Sequence, residues 1–314
     1  MSDHQINRRR AIQFLGATAG LAVANKADAT MITSTKEKSN FTYCLNLATI
    51  RGHKLGFVKE LETASKAGFH SVEIWFDTFQ DYLKAGGTIV DTKKMLGDLG
   101  IKVENSISFN QWIMDDDTAR KKEIEQMKRD MDQLAEIGCK RIAATGKGIS
   151  TSPYPNLDII AERYRTVLEL SSSNGVIPQL EMWGFMKNMS NVSEVLYMAM
   201  QTGNKSARIL LDIYHLYKGQ TPLDTLSFMD PMPVEILHMN DHPANLSYQV
   251  ITDADRVYPG DGVAPIKRIL QTLGRHNHPL VLSVEVFNKN YYSQDALVVA
   301  KTALSKLKKV VEHV

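Results

Sequence analysis

The chain has 314 residues, 43% of them apolar, with 37 basic and 35 acidic residues and a formal net charge of +2. That length admits two average domains, or one (β/α)8 barrel of about 250 residues with a leader, and no apolar run reaches the roughly 20 residues of a membrane span. Setting residues 1–29 aside leaves 33 basic and 33 acidic residues, a balance that gives no support to nucleic-acid binding.

Residues 1–29 have the pattern of an export signal. Arg8, Arg9 and Arg10 precede a mildly apolar stretch from Ala11 to Ala24, and small residues recur at Ala22-Val23-Ala24 and Ala27-Asp28-Ala29. This layout is twin-arginine-like and predicts a periplasmic mature protein with no stable membrane anchor; the bland alternative is a basic, frayed helix. Residues 30–40 (TMITSTKEKSN) are polar and read as a linker, leaving 41–314 as a single domain.

From Phe41 onward, strand-like apolar runs alternate with amphipathic stretches, the pattern of βα units around a parallel sheet. Strands are expected near 41–49, 71–76, 102–108, 139–145, 177–183, 207–213, 234–240 and 280–287. Gly68, Gly100, Gly138 and Gly175 stand at the ends of the intervening helical stretches as C-caps. Eight such units make one (β/α)8 TIM barrel. Cys44 and Cys139 fall in the first and fourth runs and read as buried thiols, not a disulfide.

Four runs in the second half each end in a metal-ligand type of side chain: Glu181 in PQLEMW, Asp212 in ILLDIYH, His238 in EILHMND and Glu285 in LSVEVF. One carboxylate at a strand end is usually a helix cap or a surface ion pair. Four at successive strand ends, on the face where such barrels keep their chemistry, suggest one divalent cation. Three carboxylates and an imidazole suit Mn²⁺, Co²⁺, Zn²⁺ or Mg²⁺ and leave room for substrate oxygens. A cation there would acidify the C–H between a ketone and its neighbouring hydroxyl, so that proton abstraction gives an enediolate.

Other residues qualify for supporting roles. His215, three residues past Asp212, could bond a substrate oxygen, shuttle a proton or cap a helix. Arg256, in the loop DADRVYPGDG, could hold a substrate oxygen or a ligand carboxylate, or form a surface ion pair. Trp183 and Trp75 could offer a flat face to a sugar or cyclitol ring. Asn240 and Asp241 could orient His238 or start a turn.

The stretches YCLNLAT, LEMWG, LLDIYH, LHMND, ITDADRVYPGDG and LSVEVFNKNYY resemble the xylose isomerase-like sugar isomerase/epimerase superfamily, and within it the inosose isomerases. The resemblance spans the whole domain. It implies that Glu181, Asp212, His238 and Glu285 are the metal ligands and that both glutamates are catalytic, moving protons on opposite sides of the substrate. It also implies that His215 and Arg256 contact a small sugar or cyclitol substrate. Two departures bear on the pocket: Asn46-Leu47 replaces Asn followed by an acidic residue, and WGFMKN follows Glu181 in place of a shorter Gly-His-Pro form.

The function expected is therefore a metal-dependent isomerase or epimerase on a keto-cyclitol or keto-sugar. Its nearest rival is a lyase on 3-keto-glycosides that uses the same enolate. A non-catalytic sugar-binding protein and an abasic-site endonuclease rank lower, the latter for want of a larger His and carboxylate cluster. A homo-oligomer is left open.

Overall fold

In a computed structural model the protein is described over residues 41–229, 234–274 and 278–312 and at Val314; the expected export signal (1–29) and linker (30–40) lie outside the described residues. Eight strands close a barrel in which every neighbour is parallel: β1 (Phe41–Asn46), β2 (Ser71–Trp75), β3 (Lys102–Ile107), β4 (Arg141–Ala144), β5 (Ile177–Glu181), β6 (Arg208–Asp212), β7 (Val234–Met239) and β8 (Leu280–Val284). β8 closes onto β1 through pairs from Phe41 with Leu280 to Leu45 with Val284.

Helices alternate with the strands: α1 (Ala48–Arg51), α2 (Phe57–Ala67), α3 (Phe76–Lys84), α4 (Ile89–Leu99), α5 (Asp117–Glu136), α6 (Leu157–Asn174), α7 (Val192–Gln201), α8 (Ile213–Lys218), α9 (Ile266–Leu273), α10 (Lys289–Tyr292) and α11 (Ala296–Val311). Their starts are set by short polar side chains. Asp116, Asn156 and Asn191 each accept a hydrogen bond from the backbone amide three residues on, which satisfies a donor that has no partner within the helix. Gly68, Gly100 and Gly175 cap α2, α4 and α6 in the left-handed conformation, while Gly138 lies one residue past the cap of α5.

All eight expected strands form, most of them shorter than the sequence suggests. The reason is local. Asn46 accepts from the amide of Ala48 at 2.9 Å and Asp212 from the amide of His215 at 3.0 Å, so at the ends of β1 and β6 the polar residue turns the chain into a helix.

The main core lies between strands and helices, where Leu61, Leu134, Tyr164, Val195 and Leu307 have essentially no exposed surface; each such large apolar side chain stabilises the fold by about 1.5–3 kcal/mol. A smaller apolar group takes one residue from each of six strands, among them Cys44, Ile107, Leu210 and Ile236. Cys44 and Cys139 are buried and free. Among the described residues no helix is long and apolar enough to cross a membrane.

Candidate metal centre and substrate cavity

Glu181 is the last residue of β5 and Asp212 of β6; His238 is the penultimate residue of β7, and Glu285 directly follows β8. All four are buried. His238 Nδ1 lies 3.2 Å from Glu285, 3.6 Å from Asp212 and 3.8 Å from Glu181, yet its geometry makes a hydrogen bond with none of them. The structure thus brings all four candidates together, with Asp212, His238 and Glu285 the tightest three.

The ring's other nitrogen, Nε2, faces Glu73 at 3.1 Å. This carboxylate, in the middle of β2, escaped the sequence reading. Asn105 and Asn46 donate to it at 2.8 and 3.3 Å. A carboxylate behind a histidine is how metal sites fix the tautomer and aim the ring. With Nε2 tied to Glu73, Nδ1 is the atom presented to the three other carboxylates.

The electrostatics show what the donor set lacks. Burial, with Glu285 and Asp212 close by, pushes Glu181 up to about 8 against the pull of His238. Burial alone would lower His238, but Glu285 and Glu73 carry it well above its usual value. Burial also opposes ionisation of Asp212, but Arg256 and His238 hold it below the ordinary carboxylate range. Four buried carboxylates share one guanidinium, and protons make up the difference. A divalent cation would supply that charge, and three oxygens with one nitrogen form a hard-to-borderline set suited to it.

Arg256 is not on the surface. It is 1% exposed, and its Nη1 donates to Asp212 at 2.9 Å and Glu285 at 2.8 Å. Nη2 pairs with Asp253, and the guanidinium stacks on Tyr214 at 4.4 Å. It therefore holds two of the candidate ligand carboxylates while also lining the cavity described below.

His215 lies in α8, not on a loop, and Asp212 rather than His215 caps that helix. Its Nδ1 accepts from the amide of Gly184 at 3.2 Å, and burial keeps the ring neutral, with its pKa lowered to about 4. A backbone amide can only donate, and so can the guanidinium of Arg256, whose Nη2 lies 3.4 Å from the ring's Nε2; a neutral imidazole has one acceptor nitrogen, so it satisfies only one of the two. His215 also lines the cavity, beside Arg256. A Cβ on Gly184 would run into the His215 carbonyl and the Gly219 amide, which explains a glycine there.

Asn240 does not orient His238. It donates to both oxygens of Asp212 and accepts from the amide of Tyr214. Asp241 accepts from the amides of His242, Gly260 and Ala264, and so shapes the loop that carries Arg256. Asn46, marked in the sequence as a departure, donates to Glu285 at 2.9 Å and accepts from the Trp75 indole at 2.9 Å.

Above these residues opens a cavity of about 370 Å³. Glu181, Glu285, His215 and Arg256 form its polar side, and Trp75 and Trp183 stand on its apolar side with Phe109, Phe185 and Phe287. The three phenylalanines went unnoticed in the sequence, because each lies one or more residues beyond its strand, where no periodicity fixes its direction.

The model of the xylose isomerase-like TIM barrel family matches residues 61–310. The inosose isomerase of Halalkalibacterium halodurans is 26% identical over 271 residues, 83% of this chain and 93% of that protein. Among solved structures, the IOLI protein with a bound zinc atom superposes with a TM-score of 0.79 at 22% identity, covering 87% of this chain and 98% of its own. L-ribulose 3-epimerase gives a TM-score of 0.68 at 16% identity, covering 86% and 94%. Matched across the closed barrel that carries the Glu181, Asp212, His238 and Glu285 cluster, the chain belongs to the xylose isomerase-like TIM barrel family.

Proposed function

We propose that this protein is a divalent-metal-dependent isomerase or epimerase acting on a keto-cyclitol or keto-sugar, by removal of a proton beside the carbonyl and return of a proton to the resulting enediolate. The observation that carries this reading is His238 Nδ1: buried, hydrogen-bonded to nothing, and 3.2–3.8 Å from three carboxylates at the floor of the cavity. The similar inosose isomerases and the zinc in a structure of the same fold support it.

Asp212, His238, Glu285 and Glu181 would hold the cation. When bound, it supplies Lewis acidity toward the substrate's carbonyl and neighbouring hydroxyl oxygens. Glu285, whose oxygens accept from Asn46 and Arg256, removes the carbon-bound proton. Glu181, which burial pushes up to about 8, returns one. His215, beside Arg256 in the cavity wall, contacts a substrate oxygen, and Trp183 packs on the ring.

The test is incubation of the metal-loaded protein with 2-keto-myo-inositol and free keto-sugars in D₂O, followed by NMR. Deuterium at the carbon beside the carbonyl of an isomerised product is expected. Isomerisation without exchange would point to hydride transfer and defeat the roles given to the glutamates; no reaction on any of these compounds would defeat the reading.

We also propose that residues 1–29 export the folded protein to the periplasm, on the support of Arg8 to Arg10 and the apolar stretch behind them. Fractionation with N-terminal sequencing, beside a variant with these arginines replaced by lysine, tests it. An unprocessed cytoplasmic protein indifferent to the change would refute export.

A further inference from the structure

The apolar side of the cavity is more than a floor for one sugar ring. Five aromatic side chains stand in sequence around it: Phe287 meets Trp75 at 6.1 Å, Trp75 meets Phe109 at 5.4 Å, Phe109 meets Trp183 at 6.4 Å, and Trp183 meets Phe185 at 5.4 Å between ring centroids. They come from the ends of β8, β2, β3 and β5, so the collar runs from the strand of one glutamate to the strand of the other.

A lone cyclitol or keto-sugar carries hydroxyls around its whole edge. In this cavity the polar lining side chains are Glu181, Glu285, His215 and Arg256, already assigned to the reacting end, and Asp253, which is paired with Arg256. The collar offers ring faces and Ile107, and its Trp75 indole N–H is already bonded to Asn46. Hydroxyls turned toward it would be desolvated without partners, which is unfavourable. Phe185 is 51% and Phe109 38% exposed at the rim, apolar surface that a ligand of the same character would cover. Ile107 and Phe109 also line a second cavity of about 510 Å³, together with Gln80, Gln126 and Asp130. The mouth thus has a reacting end and an aromatic wall.

We propose that the collar is a second subsite that takes a planar, aromatic ring borne by the keto-sugar, so that the substrate class is a ring-substituted keto-sugar such as an aryl keto-glycoside. This rests on the proposed enolising site for its reacting end. Offset or edge-on stacking supplies the affinity.

The experiment uses three compounds that differ only away from the carbonyl: 3-keto-glucose, phenyl 3-keto-β-glucoside and 3-keto-cellobiose. Binding to the metal-loaded protein is measured by calorimetry, and proton abstraction by deuterium exchange. The phenyl compound should bind at least tenfold more tightly than 3-keto-glucose, and Phe109→Ala should cut that ratio several-fold while Phe109→Trp restores it. Equal binding of the first two, or a ratio unmoved by Phe109→Ala, overturns the subsite. Tighter binding of 3-keto-cellobiose than of the phenyl compound overturns the aromatic assignment in favour of a second sugar. Tight binding of the phenyl compound without exchange on any of the three supports the subsite and sinks the enolising reading instead, so the two fail separately.

Discussion

At the base of the barrel, near the strand starts, Glu235 takes Arg141 at 2.6 Å and Arg208 at 2.8 Å, and Glu104 takes Lys102 at 2.9 Å and Arg141 at 3.2 Å. At the mouth, Glu73, Glu181, Asp212 and Glu285 share Arg256 and a histidine with an unbonded Nδ1. Both ends bury charge inside one barrel, but only the base is closed in its own ionic accounts. Paired buried charges hold a structure, whereas an uncompensated set is costly and persists where a ligand or reaction needs it. The excess of carboxylate, more than any single residue, marks the mouth as the working end.

The largest effect that would sharpen this contrast is on turnover. Glu285→Gln keeps the shape and the Asn46 contact but removes the base, and should lower kcat by about 10² to 10⁴. Near-normal turnover with metal retained would leave Glu285 as a ligand only. Next is Glu73→Gln, which leaves all four ligands in place but loosens the tautomer and aim of His238. Metal affinity, read by competition with a chelating dye, should weaken about 10- to 100-fold, and an unchanged affinity would make Glu73 a packing residue.

The base should answer differently. Glu235→Ala takes the carboxylate partner from Arg208 and leaves Arg141 with Glu104 alone, and because both arginine side chains are about one-fifth exposed, the expected loss is about 1–2 kcal/mol of stability, toward the lower end for an unsatisfied charged group. Urea unfolding measures it. Metal affinity should not move; if it does, the two ends are coupled and the contrast breaks.

The four candidate ligands were legible because each interrupts an apolar run at the strand's end, where a buried polar side chain needs a reason. Glu73 is as buried as any of them but sits third in SVEIW, and an acidic residue inside a short strand reads as ordinary alternation. What singles it out is register: Glu73 pairs with Asn46 on one side and Asn105 on the other, a row of polar residues that exists only once strands are aligned. Arg256 was visible as a loop cation, but its burial depends on the turn that Asp241 holds through three backbone amides. The collar was illegible for the same kind of reason, since loop phenylalanines have no period to follow.

The smallest effect separates the two ends by the sign of their pH response. In the metal-free protein Glu181 has a folded pKa raised to about 8 from 4.5, so between those values the folded state holds a proton that the unfolded chain has released. Stability must then fall as pH rises through that window. His238, raised by Glu285 and Glu73 despite its burial, adds in the same sense above pH 6.5, losing its contribution as pH climbs through its folded value. Glu235 is the opposite case. Burial opposes its ionisation, but hydrogen bonds from Arg141 and Arg208 hold it below its usual value, so its contribution is present above about pH 4.5 and lost on acidification. Melting of the metal-free protein between pH 5 and 8 should therefore show a declining Tm, and Glu181→Gln should make the decline shallower by a few degrees. Saturating metal should offset it, because the cation binds the deprotonated ligands. Parallel curves for the variant and its parent would mean that the mouth carries no excess charge at Glu181, and the case for a cation there would lose its electrostatic support.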